Sequence, residues 1–270
     1  MRSLEITLGN YYPAESAVHR LDPRFKLLAV TFLMAVTFIT RAPWAVTFHT
    51  LAVVCLVRLS GIPVRYFLRT LRFFLWLFIF TGILHLCFTP GRPLTDEPIL
   101  GFLQITQEGL ARGGLISWRL LAIISLSALL THSTTPLEIT RGMESLLSPL
   151  ERFRFPVQDF ALMMMMAIRF IPVLSDEAQR VWKAQRSRGA HFGRGGVKRR
   201  ANTLMSILIP VFAGVFRRAD DLATALEARG YSPDRRRTSM VRLVWTAKET
   251  HALIFVALWI LAVLALERMV

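Results

Sequence analysis

Arginine is the residue type whose placement in this chain points to chemistry, and that chemistry is docking. Ala184-Gln185-Arg186-Ser187-Arg188-Gly189 and Ala225-Leu226-Glu227-Ala228-Arg229-Gly230 share the pattern Ala-x-x-x-Arg-Gly. On a helix, residues four apart share a face, so each small alanine sits beside its arginine. Alanine lets a partner approach closely, and a guanidinium can then fork onto a carboxylate or onto backbone carbonyls. Each string also reads as a helix end. Glycine adopts the left-handed conformation just past the last turn, and arginine there complements the helix dipole. A cap explains either string alone, but it does not explain two copies on consecutive helical segments. Capping and docking are compatible. A third tripeptide, Ala111-Arg112-Gly113, lacks the alanine four residues before its arginine, where Glu108 stands. Its Gly109 and Gly113 form a GxxxG pair suited to helix packing.

Other reactive constellations are missing. Gly193–Lys198 is the stretch nearest to a phosphate-binding loop, and Val197 separates its last glycine from the lysine. Cys55 and Cys87 fall singly in apolar runs, and His19, His49, His85, His132, His191 and His251 are scattered. Neither pattern suits a disulfide framework or a zinc site. No carboxylate pair or nucleophile triad stands out, so the reading is a non-enzyme with no catalytic residue, metal or cofactor of its own. Met163–Met166 suits lipid or core packing, or alternatively an adaptable partner surface.

The elements that must carry the two strings follow from composition. Hydrophobic residues make up 53% of the 270, yet the formal net charge is +15. A mean hydropathy of +0.45 is too high for an ordinary soluble domain. Apolar and basic residues are segregated along the chain, as in a polytopic membrane protein with basic cytoplasmic parts. The first residues lack the pattern of a cleaved signal peptide. Candidate spans are Phe25–Thr40, Pro43–Leu59, Phe73–Thr89, Leu115–Thr131 and His251–Leu266. Arg20 and Arg24 precede the first span and Lys26 stands at its start, while Arg58 ends the second span and Arg65, Arg69 and Arg72 lie between it and the third. They mark the N-terminus, the second connection and the region from His132 to Glu249 as cytoplasmic. Arg119 lies within a span, where a central charge costs about 2.5–3.5 kcal/mol, so it is expected to face protein or water.

The predicted fold is all-α: about five transmembrane helices plus long kinked cytoplasmic helices. The predicted organisation is a membrane part at 1–131 with four spans, a cytoplasmic helical region at 132–249, which the resemblance given below makes the coupling-helix region, and a last transmembrane helix at 250–270. Within the middle region, Gln158–Arg188 reads as one helix kinked near Pro172, and about Lys198 to Arg229 as another kinked near Pro210. Both are apolar first and charged later, and the apolar runs Phe160–Leu174 and Leu204–Phe216 could dip into the membrane. Gly193–Gly196 links them, and Arg235-Arg236-Arg237 suits anionic headgroups.

The sequence resembles the transmembrane T component of energy-coupling factor vitamin importers over nearly its whole length. The resemblance rests on Gly9–Pro13 and on an N-terminal signature that includes His19, Arg20, Leu21, Asp22, Pro23 and Arg24 and runs to Leu28. It continues through Ile105–Gly109, Ala167–Pro172, Arg217–Asp220 and Ala225–Tyr231. The family's hallmark is a pair of Ala-Arg-Gly motifs at the ends of cytoplasmic coupling helices. Ala228-Arg229-Gly230 matches it in full, and Ser187-Arg188-Gly189 carries the similarly small serine in place of alanine.

The resemblance implies two ABC-type ATPase subunits, each receiving one coupling helix, with ATP bound and hydrolysed there. It implies a vitamin-binding S component, one or several interchangeable ones, that topples in the membrane to release substrate. It places the chain in the cell membrane of a prokaryote, and the signature looks more like the shared, vitamin-serving type than the dedicated cobalt type. An autonomous secondary transporter is the alternative, but it wants a midplane ionisable site that the spans, Arg119 apart, do not offer. A membrane-embedded enzyme would need the missing catalytic constellation. Nucleic-acid binding could account for a pI near 11.3, but topology explains the basic residues better.

Overall fold

The computed structural model describes residues 11–92, 106–189, 196–232 and 245–268. Gly9 and Asn10 of the signature region, Ile105, most of the Gly193–Gly196 linker and Arg235-Arg236-Arg237 lie outside the described residues. The chain is all-α. Its helices are α1 (Pro23–Ile39), α2 (Pro43–Leu59), α3 (Val64–Phe73), α4 (Leu75–Phe88), α5 (Gln107–Ser133) and α6 (Pro136–Leu147). A 3-10 turn at Ser148–Phe153 follows, then α7 (Val157–Ser187), α8 (Val197–Ala228) and α9 (Ala247–Arg268).

Local chemistry sets the helix starts. Asp22 caps α1 by accepting from the Arg24 amide at 2.8 Å, and Pro23 takes the first helical position, where a missing N–H costs nothing. Thr106 accepts from the Gly109 amide at the start of α5. Thr135 and Glu138 form a reciprocal capping box before α6, with the Thr135 amide donating to Glu138 at 2.9 Å and the Glu138 amide to Thr135 at 3.3 Å. Thr246 and Glu249 use the same spacing ahead of α9.

The chain divides into two compact units. One contains the helices up to residue 145 together with α9; the other contains the 3-10 turn, α7 and α8. In the first unit α5 packs against α1, α2, α3 and α4, while α9 packs against α1 and α2. Val30, Leu33, Val53 and Leu126 form one buried cluster; Val36, Ala42, Ala45 and Val263 form another. Phe48 stacks on Trp259 with ring centres 3.9 Å apart, which fastens α9 to α2. The helices α4 and α5 approach closely: a Cβ added to Gly113 would lie 3.3 Å from the Gly82 carbonyl oxygen and 3.2 Å from His85 Cβ. The decoy string at Ala111-Arg112-Gly113 therefore sits inside a helix, and its glycine serves packing.

The all-α membrane reading holds, while helix lengths redistribute the spans. Among the described residues, α5, α7 and α9 are long and apolar enough to cross a bilayer, and α3 with α4 makes a fourth candidate bent by 52°. The sequence predicts about five spans. The two helices α1 and α2 have 17 residues each, about 25 Å at 1.5 Å per residue, against a hydrocarbon core of about 30 Å. The predicted Phe73–Thr89 span begins at the bend itself, because the helix breaks at Phe74.

Candidate functional site

The two arginine strings end α7 and α8, which pack side by side within one unit. The contacts fix the pair as antiparallel. Gln185 meets Ser206, Glu177 meets Arg218 at 3.3 Å, and Asp159 accepts from the Tyr231 hydroxyl at 3.3 Å. Glu177 also accepts from Arg180 at 3.1 Å, so one carboxylate joins both helices. Both helices run unbroken through Pro172 and Pro210.

A proline in a helix leaves the carbonyl four residues back without its amide partner. For Pro210 that carbonyl belongs to Ser206, and the Gln185 side-chain amide donates to it at 3.2 Å. The second residue of the first arginine string thus satisfies an oxygen that the α8 proline has freed.

The two ends are built alike. At the first, Arg188 is the C-cap, its amide donating to Ala184 at 3.2 Å, and Gly189 follows with φ +86°. At the second, Arg229 is the C-cap, its amide donating to Ala225 at 3.2 Å, and Gly230 follows with φ +74°. The Gly189 amide donates to Arg186 at 3.1 Å, and the Gly230 amide to Glu227 at 2.9 Å. The Tyr231 amide reaches Leu226 at 3.0 Å and completes a Schellman motif at the second end. Ala184, Ser187, Arg188, Gly189, Ala225, Ala228, Arg229 and Gly230 are all exposed. Neither Arg188 nor Arg229 pairs its guanidinium with a described residue. The Ser187 hydroxyl donates back to the Lys183 carbonyl at 3.2 Å, so the serine presents a small surface whose donor is already used.

Antiparallel packing puts the two strings at opposite ends of the pair. Ser206, opposite Gln185, lies well before Arg229 in α8, so the two arginines stand about 35–40 Å apart along the helix direction. By length and composition α7 could cross a membrane. A crossing pair would carry its two strings to opposite faces; only a pair lying along the surface presents both to one side.

The N-terminal signature gathers elsewhere, at the junction of α1, α5 and α6. His19 bridges the Ser16 hydroxyl at 2.8 Å and the Tyr12 carbonyl at 3.0 Å. Buried Lys26 donates to the carbonyls of His19 at 2.9 Å and Ser133 at 3.0 Å. The Tyr12 amide donates to the His132 carbonyl at 3.0 Å, and Thr70 contacts His132 at 3.2 Å. Asp22 and Pro23 start α1, Arg24 lies 4.0 Å from Asp22, and Leu21 is half-buried. Arg20 is exposed and pairs with Glu15 at 3.5 Å. The signature therefore straps residues 11–22 onto the end of α5.

Arg119 acquires a partner that the sequence did not name. Its guanidinium donates to the Thr40 carbonyl at 3.0 Å, at the end of α1. On the same turn Glu267 accepts from the amides of Arg41 and Ala42, both at 2.9 Å, and ties α9 to the start of α2. Sequence reasoning gave Gln185 and Glu267 no role, and read Lys26 only as a basic flank of the first span and part of the signature. Only Lys26 left a signal, as a cation beside an apolar run; the other two act through backbone groups far away in the chain.

A sequence profile described as cobalt transport protein matches residues 14–240. The energy-coupling factor transporter transmembrane protein EcfT of Thermanaerovibrio acidaminovorans is 41% identical over 268 residues, covering 99% of this chain and 98% of that protein. The EcfT of Bacillus subtilis is 39% identical over 257 residues, 95% of this chain and 96% of its own length. That of Streptococcus thermophilus is 39% identical over 251 residues, covering 93% and 94%. The chain belongs to this family of energy-coupling factor transmembrane components. Membership makes the chain a transmembrane component of an energy-coupling factor transporter, a membrane transport subunit. Among the described residues no group of His, Cys, Asp and Glu is arranged to hold a metal ion.

Proposed function

We propose that the α7–α8 pair is the coupling element of an energy-coupling factor importer, with one ABC-type ATPase on each arginine string. A vitamin-binding S component then completes the complex, and ATP-driven movement of the two ATPases reaches it through this chain. ATP binding and hydrolysis belong to the ATPases. The observation that carries the reading is the pair of matching, exposed, glycine-terminated ends on antiparallel helices. Two separate attachment points let relative motion of two ATPases act on the pair as a lever. The N-terminus and the α7–α8 unit face the cytoplasm of a prokaryotic cell, with the pair lying along the membrane surface.

The test is copurification of the ATPases with Arg188→Ala, Arg229→Ala and the double variant. Both arginines are exposed and unpaired among described residues, so the variants should lose no more than the small helix-dipole contribution to stability. A charge-assisted fork onto a partner is worth about 1.5–3 kcal/mol, so each single variant should lose about tenfold or more in affinity. The double variant should lose both ATPases and coupled uptake. Intact assembly and full transport in the double variant would refute the proposal. Ion-driven vitamin uptake by this chain reconstituted alone would favour a secondary transporter instead.

A further inference from the structure

We infer that α2, α3 and α5 form a binding site for an anionic phospholipid, with one acyl chain between the helices and the headgroup on an arginine stripe. The proposal does not depend on the docking role of α7 and α8. On α3, Val64, Leu68 and Leu71 repeat at i, i+4 and i+7, and Arg65, Arg69 and Arg72 repeat with the same spacing one residue later. One residue turns an α-helix by about 100°, so an apolar stripe and a cationic stripe run side by side along α3. The apolar stripe lines a cavity of about 210 Å³, which Val57 of α2 and Trp118 and Ala122 of α5 help to close. The wall is largely hydrocarbon, with Thr50, Ser125 and Arg58 as its polar members.

The arginines supply the second half of the site. Arg65, Arg69 and Arg72 are exposed, as is Arg58, which also lines the cavity. Among the described residues none of the four forms an ion pair. Their charge is therefore available to an outside anion, and a phosphodiester accepts the guanidinium fork. The 52° bend at Phe74 turns α3 away from the line of α4. A short helix with one apolar and one arginine-bearing side suits the membrane interface. The same arginines mark this connection as cytoplasmic, the leaflet whose anionic lipids attract basic segments. A hydrocarbon slot beside an uncompensated cationic stripe matches both parts of one such lipid.

Trp118 provides the readout, because a brominated acyl chain in the cavity would quench it. The full chain is reconstituted in phosphatidylcholine nanodiscs doped with either brominated phosphatidylglycerol or brominated phosphatidylcholine. Subtracting the signal of Trp118→Phe isolates the indole at the site. Phosphatidylglycerol should quench Trp118 at about tenfold lower mole fraction than phosphatidylcholine, less than two arginines contribute at their usual strength. The preference should vanish in the variant combining Arg58→Gln, Arg65→Gln, Arg69→Gln and Arg72→Gln, with helicity unchanged by circular dichroism. Leu68→Phe, which fills the cavity and keeps every charge, should weaken quenching by both lipids. Equal quenching by the two lipids, which marks ordinary boundary lipid, would overturn the proposal. So would a preference that survives loss of all four arginines, or a Trp118 that neither lipid reaches.

Discussion

At the residue scale, the two string ends require glycine for its backbone, not for space. Gly189 and Gly230 have φ of +86° and +74°, and a Cβ at either would meet no atom of the described residues within 4 Å. Left-handed backbone costs an ordinary L-residue about 1–2 kcal/mol. Gly189→Ala and Gly230→Ala should therefore each destabilise the chain by about 1 kcal/mol, seen as a lower midpoint in thermal unfolding in detergent. Asparagine, which tolerates this region, should cost less at either site. An alanine variant as stable as the parent would show that the turn relaxes freely. The proposed docking groups behave differently, because neither the Arg188 nor the Arg229 guanidinium pairs with a described residue. Their loss should cost no more than the few tenths of a kcal/mol of an exposed charge on a helix dipole, and show its main effect only when ATPases are present.

At the element scale, α7 and α8 depend on each other through a helix defect. Pro210 removes the amide that would serve Ser206, and Gln185 fills the gap. Gln185→Ala should cost about 1 kcal/mol in the parent, the usual worth of a hydrogen bond whose loss strands an acceptor. In a Pro210→Ala background the helix supplies its own amide to Ser206, and the same substitution should cost markedly less. A double-mutant cycle on unfolding free energy measures this coupling, and additive costs would show that the two residues act independently. The other long-range ties follow the same rule. Lys26 on Ser133, Arg119 on Thr40 and Glu267 on Ala42 all join charged side chains to backbone groups at helix ends. Helix ends are where such groups lack partners within the helix.

At the scale of the molecule, the antiparallel pair turns a local motif into a statement about topology. If α7 crossed the bilayer, residues near its two ends, and the α8 residues packed beside them, would lie on opposite sides. With Cys55 and Cys87 replaced by alanine, Ser187→Cys and Ala228→Cys should both react with an impermeant maleimide in inverted vesicles, and neither in right-side-out vesicles. Labelling of the two from opposite sides would show a crossing pair and remove the geometric basis for two docking ends on one face. The lipid site belongs to the other unit, so its test and this one succeed or fail separately.

Much of the fold was legible because helices obey local rules. The glycines after Arg188 and Arg229 mark helix ends within a few residues of chain. Apolar stretches of spanning length and arginine placement likewise pointed to an all-α membrane chain, and Ala-x-x-x-Arg-Gly to the candidate site. Span number was less legible, since hydropathy does not reveal a helix break such as that at Phe74. The tertiary structure decided what depends on distance through space. It brought Gln185 to the carbonyl freed by Pro210, Arg119 to Thr40 and Glu267 to the start of α2. It also set the two strings at opposite ends of one antiparallel pair. A sequence encodes which groups need partners, because caps, charges and prolines are local. Which partner answers each need is decided only when helices distant in the chain pack together.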